Sequence, residues 1–385
     1  MVNAKYLRRI GIAVAAVTLA GFAAVPATAL STMWRVVAAA NVGAGHNDLH
    51  AVAAAGPGLT LAVGEYFDGT TDRTLIESRT RSAWKVVATP NVGALHNVLL
   101  AVAGVTASKA WAVGTYYNAT SDLTLILAWN GTTWQIVSSP NVGALHNELD
   151  GVAAGSPNSA WAVGTYFNGV TDKTLVEHWN GSTWQIVSSP NVGALHNALG
   201  AVSVVPGTNG TQAWAVGTRF DGLNDKTLIE RFSGGRWIVV PSPNPGIQGN
   251  SLSAVTVVNA RSAFAVGTYS VRKINKTLIE HWNGSRWSVM PSVNLGAANN
   301  EFVAVGARSA TSVLAVGRYF AAPHDRTLVE RFNGVSWTVV PSMTVGTNHN
   351  EFEGVATLTT GGAVAVGTYY TGTADRSLIE SCPRC

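Results

Sequence analysis

The 385-residue chain is poor in charge and in cysteine. Only 12% of its residues are charged and 47% are hydrophobic, a balance that argues against an intrinsically disordered protein. No stretch has the 3.6-residue hydrophobic period of a long helix, so strands are the expected elements. The only cysteines, Cys382 and Cys385, lie in the last four residues. For this tail, residues 381–385, we expect a small disulfide or two exposed thiols rather than a redox site, which would need a following helix.

Basic clusters and long apolar runs occur only at the N-terminus. Lys5, Arg8 and Arg9 precede the apolar run Ile10–Ala24, and an Ala-Thr-Ala cleavage signal ends at Ala29. We predict a secretory signal peptide over residues 1–29, with an uncleaved anchor as the alternative. Removing three of the 25 Lys and Arg leaves 22 against 21 Asp and Glu. A near-neutral secreted protein is therefore expected, with no nucleic-acid partner and no membrane insertion after cleavage.

A repeat of about 50 residues fills the remaining chain. The tripeptide Ala-Val-Gly occurs seven times, ending at Gly64, Gly114, Gly164, Gly217, Gly267, Gly317 and Gly367. One step is longer because extra residues fall at 206–212. Fourteen residues are identical between positions 134–147 and 184–197. Such periodicity is typical of solenoids and propellers.

Each repeat predicts four short strands. In the third copy these are Leu149–Ala153, Ala160–Phe167, Thr174–Trp179 and Trp184–Val187. An Asn-Gly pair at 180–181 favours a hairpin with a type I′ turn between the last two.

Seven four-stranded units predict an all-β, seven-bladed β-propeller with antiparallel blades over residues 30–380. The region begins with an isolated fourth strand at 34–38, and the seventh blade, at 350–380, ends after its third strand. We expect these two segments to pair and close the ring, since closure removes two open sheet edges. A monomer is expected.

The motifs Trp-Asn-Gly-x-x-Trp, Ser-Pro-Asn-x-Gly and Ala-Trp-Ala-Val-Gly resemble the repeats of secreted bacterial β-propellers over residues 34–380. This resemblance implies the propeller architecture and carries over no catalytic residue. The hairpin at 179–184 is also similar to an Asp-box of sialidase-like propellers, but Trp179 occupies the aspartate position. No glycosidase function follows from it.

Polar residues recur in the two loops that share one rim of a propeller. The candidate ligand-binding residues are the loop histidines and asparagines with selected acids and tyrosines: His46, His96, His146, His196, His349, Asn147, Asn197, Asp172, Asp225, Tyr166 and Tyr319. The asparagines recur in all seven repeats, which favours a loop-shaping role. In the loop between the second and third strands, an aspartate stands two residues before a threonine or serine, as at Asp172 and Thr174. We interpret this carboxylate as a hydrogen-bonding cap of the loop in which it lies.

Three interpretations of the histidines stay open: hydrogen-bonded loop residues, a ring of imidazoles that binds a polar or anionic ligand, or metal ligands. Metal ranks last because histidines on neighbouring blades start ~10 Å apart. No metal or cofactor is therefore predicted. The regularly spaced tryptophans favour a packing layer over a sugar-stacking surface.

Fold alone does not decide function. Because no repeat carries a recognisable nucleophile–base pair, we expect an exported binding module for a glycan or cell-envelope polymer, or for an extracellular protein. The alternatives are a polysaccharide- or peptide-acting lyase or hydrolase at the channel mouth, and a scaffold without a small ligand.

Overall fold

The computed structural model describes residues 33–43, 45–80, 83–143, 145–359 and 361–385. The predicted signal peptide lies outside these ranges. The described residues form 28 β-strands and no helix. Accordingly, they contain no helix with the length and hydropathy needed to span a membrane.

The strands form seven four-stranded sheets, confirming the predicted seven-bladed β-propeller. Blades 1 and 2 comprise β2 Asn47–Ala54, β3 Thr60–Phe67, β4 Asp72–Arg79, β5 Trp84–Val86, β6 Asn97–Thr106, β7 Lys109–Tyr117, β8 Asp122–Trp129 and β9 Trp134–Ile136. Blades 3 and 4 comprise β10 Asn147–Ser156, β11 Ser159–Phe167, β12 Asp172–Trp179, β13 Trp184–Ile186, β14 Asn197–Val204, β15 Ala213–Phe220, β16 Asp225–Ser233 and β17 Arg236–Val239. Blades 5 and 6 comprise β18 Gly249–Asn259, β19 Ser262–Val271, β20 Ile274–Trp282, β21 Trp287–Val289, β22 Asn300–Ser309, β23 Ser312–Ala321, β24 His324–Phe332 and β25 Trp337–Val339. Blade 7 comprises β26 Asn350–Leu358, β27 Gly362–Tyr370, β28 Asp375–Cys382 and β1 Arg35–Val36.

The ring is closed by pairing between the first and last strands, as predicted. Arg35 pairs with Ser381 and Val36 with Glu380 in antiparallel register. The Val37 N–H extends this ladder by donating to the Ile379 carbonyl over 2.8 Å. Each blade's first strand also contacts the first strands of both neighbouring blades, all the way round the ring. The first strands therefore surround the central axis.

The hairpin between the third and fourth strands of blade 3 differs in detail from the prediction. Trp179 pairs with Trp184, so the loop contains the four residues 180–183. Only Gly181 has a positive φ, of 100°. The Asn180 side chain instead accepts hydrogen bonds from the N–H groups of Ser182 and Thr183, both at 3.0 Å. The hairpin is confirmed, but the type I′ turn is wrong, because an Asx-capped loop replaces it.

Aromatic packing between blades forms the core, as expected from the tryptophan spacing. Trp111 on the second strand of blade 2 contacts Trp184 on blade 3 with ring centroids 5.1 Å apart. Trp161 and Trp237 repeat this contact at the next junction, at 5.2 Å. The fourth-strand tryptophans are at most 6% exposed. They stabilise the ring by burying apolar area between sheets.

The C-terminal tail packs on the closing strand. Cys382 and Cys385 form a disulfide, and both side chains are buried. They belong to the same apolar cluster as Trp34, next to β1. Of the two alternatives left by the sequence, the structure therefore has the disulfide, without exposed thiols.

A buried glutamate lies on the third strand of six blades, at positions 77, 177, 230, 280, 330 and 380, and Leu127 replaces it in blade 2. In some blades a residue of the preceding crossing loop donates its N–H to this carboxylate, as Ala40 does to Glu77 and Val293 to Glu330. The same repeat position is proline in the loops before Leu127, Glu177, Glu230 and Glu280, at Pro90, Pro140, Pro190 and Pro243. The Glu177 carboxylate accepts the Ser139 hydroxyl at 3.0 Å instead. Proline has no N–H to donate. The carboxylates of Glu230 and Glu280 accordingly have no hydrogen-bond partner among the described residues.

Candidate functional site

Histidine–aspartate pairs join the two loops of the predicted rim within single blades. A ring Nε2 and a carboxylate oxygen lie 3.0–3.2 Å apart in the pairs His46–Asp72, His96–Asp122, His196–Asp225 and His349–Asp375. Each histidine ends a crossing loop, and each aspartate begins a third strand. The crossing loops and the loops between second and third strands therefore share one face, called here the rim face.

The same four histidines stack on aromatic rings at the end of the second strand. Ring centroids lie 5.5–5.8 Å apart in the pairs His46–Phe67, His96–Tyr117, His196–Phe220 and His349–Tyr370. The hydrogen bond to Asp72 raises the pKa of His46, and that to Asp375 raises the pKa of His349. These contacts support the interpretation of the histidines as hydrogen-bonded loop residues. Their contact with a ligand stays a prediction.

His146 departs from this pattern and bridges two blades. Its Nδ1 lies 3.3 Å from the carboxylate of Asp122 on blade 2, and its Nε2 lies 3.3 Å from Glu148 on its own blade. The Glu148 hydrogen bond is the main cause that raises the pKa of His146 to about 9. His146 is therefore an imidazolium at neutral pH. Asp172 of the same blade is half-buried on the rim.

The recurrent asparagines hold the crossing loops from beneath. Asn147 accepts the N–H groups of Val142 and Gly143, at 2.9 and 2.8 Å, and donates to the Gly143 carbonyl at 2.8 Å. Asn197 makes the equivalent bonds with Gly193. Both side chains are buried. The loop-shaping role inferred from their recurrence is thus present, and ligand contact by either residue stays a prediction.

The remaining predicted residues have other local contacts. Tyr166 and Tyr319 are half-buried and pack against the apolar clusters of their blades. The Asp-x-Thr pattern does not cap its own loop: Thr174 N–H donates to Asn191, in the crossing loop that follows the same blade, at 3.0 Å. The cap is the earlier Asx residue, as when Asn168 accepts the Thr171 N–H at 2.9 Å.

The structure adds an acidic channel entrance that sequence reasoning missed. The first and third residues after each recurrent asparagine are partly exposed. They lie on the first strands, which surround the axis. These positions carry one histidine, His50, and no lysine or arginine. The acids among them, called here the entrance acids, are Asp48, Glu148, Asp150, Glu301, Glu351 and Glu353. All six lie on blades 6, 7, 1 and 3.

One arginine compensates part of this charge. Arg318 donates to Glu301 of blade 6 over 2.9 Å and also to Glu351 of blade 7. The sequence contains a sign that blades 1 and 6 differ from the others. The residue after Ala-Val-Gly is threonine in five repeats but Glu65 in the first and Arg318 in the sixth. These departures lie in the sector where the entrance acids concentrate.

Blade 1 brings together three groups able to act as metal ligands or as an acid–base set. One side-chain ligand atom each of His46, Asp48 and Glu65 lies within 4.8 Å of the other two. Burial raises the pKa of Asp48 to about 6, and Thr368 of blade 7 donates to this carboxylate over 3.1 Å. A histidine with two carboxylates suits a divalent cation. The same groups could exchange protons with a bound substrate.

A cavity of about 440 Å³ lies between blades 3 and 4, at the ends of their strands opposite the rim face. Trp161, Phe232 and the backbone at Gly210 line it, so the inserted segment 206–212 forms one wall. The Ser159 hydroxyl and His178 Nε2 lie 3.0 Å apart there. Blade 5 repeats this pair as Ser262 and His281, at 3.2 Å. The repetition indicates a structural contact rather than a nucleophile specific to one blade.

Comparison with known proteins supports the fold alone. No family model matches the sequence, and no curated protein matches it. The chain is similar to the propeller YCF48 bound to D1 peptide, with a TM-score of 0.54 and 12% identity over 90% of this chain and 94% of that one. It is similar to the WD40 propeller of Doa1, with a TM-score of 0.55 and 12% identity over 91% and 97%. A PL25 ulvan lyase bound to -[GlcA(1-4)Rha3S]- gives a TM-score of 0.56 and 8% identity over 88% and 93%.

Proposed function

We propose that the protein is an exported binding module that takes up a cationic group of its ligand at the channel entrance. The six entrance acids carry this proposal, because the same positions of all seven blades contain no lysine or arginine. Arg318 pairs with Glu301 and Glu351, and His146 with Glu148. A cleft lined by one sign of charge concentrates ligands of the opposite sign. The anionic ligand considered for the histidine ring is disfavoured on the same ground.

The buried tryptophans argue against the glycan preference of the sequence analysis. Twelve of the thirteen are at most 8% exposed, and Trp129 is partly exposed. Sugar rings stack on accessible indole faces, and the structure offers few of them. Among solved propellers of similar shape, one binds a peptide and another a polysaccharide. The fold therefore accommodates either class, and the charge of the entrance is the more specific guide.

Titration calorimetry with oligolysine and oligoglutamate of equal length tests the proposal. We expect oligolysine to bind, and its affinity to fall as salt rises from 50 to 500 mM, because exposed charges are screened. Replacing Asp150 and Glu353 by their amides should weaken binding about tenfold, equivalent to about 1.4 kcal/mol. The matched control is Asp221→Asn, an exposed carboxylate in the loop between the second and third strands of blade 4, which is not one of the entrance acids.

Equal affinity for the two oligomers, or an unchanged affinity in the entrance variant, would contradict the proposal. Cleavage of a bound peptide or polysaccharide would instead support the alternative lyase or hydrolase. In that case, Asp48→Asn should abolish turnover while the fold is retained.

A further inference from the structure

Several crossing loops expose apolar side chains on the rim face, among them Ile247 at 71% and Met343 at 46%, but only three consecutive loops share an exposed leucine. Leu95, Leu145 and Leu195 are 55–57% exposed. Val92, Val142 and Val192 of the same loops are 45–49% exposed. These six residues, called here the apolar arc, lie at the junctions between blades 1 and 2, 2 and 3, and 3 and 4. Exposed apolar side chains grouped on one face are typical of interaction sites.

The leucines of the arc are not needed for folding of the crossing loop. The equivalent residues at the other four junctions are Gly45, Gln248, Ala298 and Asn348. Those junctions keep the same asparagine-capped loop, as in the bonds of Asn350 to Val345 and Gly346. Three adjacent junctions thus share an exposed leucine that the loop conformation does not require.

The middle of the apolar arc lies beside the entrance acids of blade 3. Leu145 is three residues from Glu148, one of the entrance acids, so their Cα atoms are at most about 10 Å apart. His146, between them, is tied to Asp122 and Glu148. A single extended segment could therefore place a cationic group at the entrance and apolar side chains on the arc.

We infer that the ligand is a segment of another protein that carries lysine or arginine within about three residues of leucine, isoleucine or valine. This inference rests on the proposed function, to which it adds the class of ligand. Hydrocarbon side chains would cover the exposed leucines, whereas a glycan has no comparable branched apolar group. The negative entrance also disfavours an anionic membrane surface as the occupant. The partner is thus an amphipathic, basic protein segment.

Three probes of equal length and a pair of matched variants test this inference by calorimetry. The probes are a Lys/Leu peptide, a Lys/Ser peptide of the same charge and a chitosan oligomer as a cationic glycan. The arc variant is Leu95→Ser/Leu145→Ser/Leu195→Ser. The control, Val335→Ser, changes a residue that is 87% exposed and lies in a loop between third and fourth strands, at the end of the blade opposite the rim face. Thermal unfolding establishes that both variants fold.

We expect the Lys/Leu peptide to bind at least tenfold more tightly than the Lys/Ser peptide, and the arc variant to remove this difference. The control should preserve it. Equal affinity of the two peptides for the unmodified protein, or tighter binding of chitosan than of the Lys/Leu peptide, would overturn the inference and leave the proposed function in place. Failure of all three cationic probes to bind would overturn the proposed function itself.

Discussion

At the scale of single residues, the buried glutamates differ in whether a backbone N–H group donates a hydrogen bond to the carboxylate. Glu77 and Glu330 each accept a backbone N–H from the preceding crossing loop. Glu230 and Glu280 face prolines and have no such donor. Burial raises the pKa of both carboxyls to about 8. Leu127 shows that the position accepts an apolar residue beside Pro90.

We predict that Glu230→Leu stabilises the protein at pH 8 by about 1–3 kcal/mol, since one pKa unit corresponds to about 1.4 kcal/mol. The folded-state pKa lies above the unfolded value of 4.5, so the unfolded chain loses its proton first as the pH rises. This carboxyl therefore lowers stability progressively between about pH 4.5 and 8. Urea denaturation at pH 5 and pH 8 measures the effect, and the gain should be smaller at pH 5.

Glu330→Leu is the matched control, because it removes the acceptor of the Val293 N–H. It should stabilise less than Glu230→Leu, or destabilise, since an unpaired buried N–H costs about 1–3 kcal/mol. An equal gain in both variants would show that the hydrogen-bond donor does not matter.

At the scale of the elements, the crossing loop depends on its buried asparagine. Asn97 accepts the N–H groups of Val92 and Gly93 and donates to the carbonyls of Gly93 and Asp72. The bond to Asp72 links blade 2 to the third strand of blade 1. One side chain thus shapes the loop and joins two blades.

We expect Asn97→Ala to lower the free energy of unfolding by about 2–4 kcal/mol, because buried backbone groups lose their partners. The comparison variant is Asn118→Ala, whose side chain caps an exposed loop through Thr120 and Ser121. Water can replace those bonds, so its cost should be about 1 kcal/mol or less. Chemical denaturation of both variants decides the matter, and similar losses would refute the special role of Asn97.

Periodicity made the elements predictable, and departures from it determined what was missed. The four strands of blade 3 were placed within three residues of their observed bounds because each repeat carries the same alternation and turn residues. The recurrent asparagines were correctly interpreted as residues that shape the crossing loops, although they begin the first strands. Arg318 and Glu65 were overlooked because each differs from its repeat at a single strand position. Their partners lie on other strands: Glu351 is on the first strand of the next blade, and Asp48 lies opposite Glu65 on the neighbouring strand of blade 1. These contacts therefore form only once strands pair and blades pack.

At the scale of the whole molecule, stability depends on pairing between the two ends of the described chain. The closing strand β1 covers the outer edge of β28, and Trp34 fills the apolar cluster that includes the disulfide. Without β1, blade 7 would have three strands and an open edge, which favours association with other chains.

We predict that a protein shortened to begin at Ala38 unfolds at a clearly lower temperature than one beginning at Met33 and scatters light as it aggregates. Trp34→Ala should cost about 3–5 kcal/mol, a typical loss for a buried tryptophan. Trp84→Ala, at the equivalent place in blade 1, should cost a similar amount without exposing a strand edge. Calorimetry with light scattering separates the two effects. An unchanged melting temperature on shortening would show that closure contributes little.

The repeated fourteen-residue stretch has a consequence for how such a gene can change. The identical segments 134–147 and 184–197 each run from a fourth strand to the start of the next first strand. Unequal crossing-over between the DNA encoding them would delete 50 codons and join the two halves without disturbing a single strand. The product would lack one complete blade, including Glu148 and Asp150, and would keep one leucine in place of Leu145 and Leu195. Evolution could thereby alter the circumference of the ring and the composition of its rim face in one genetic event.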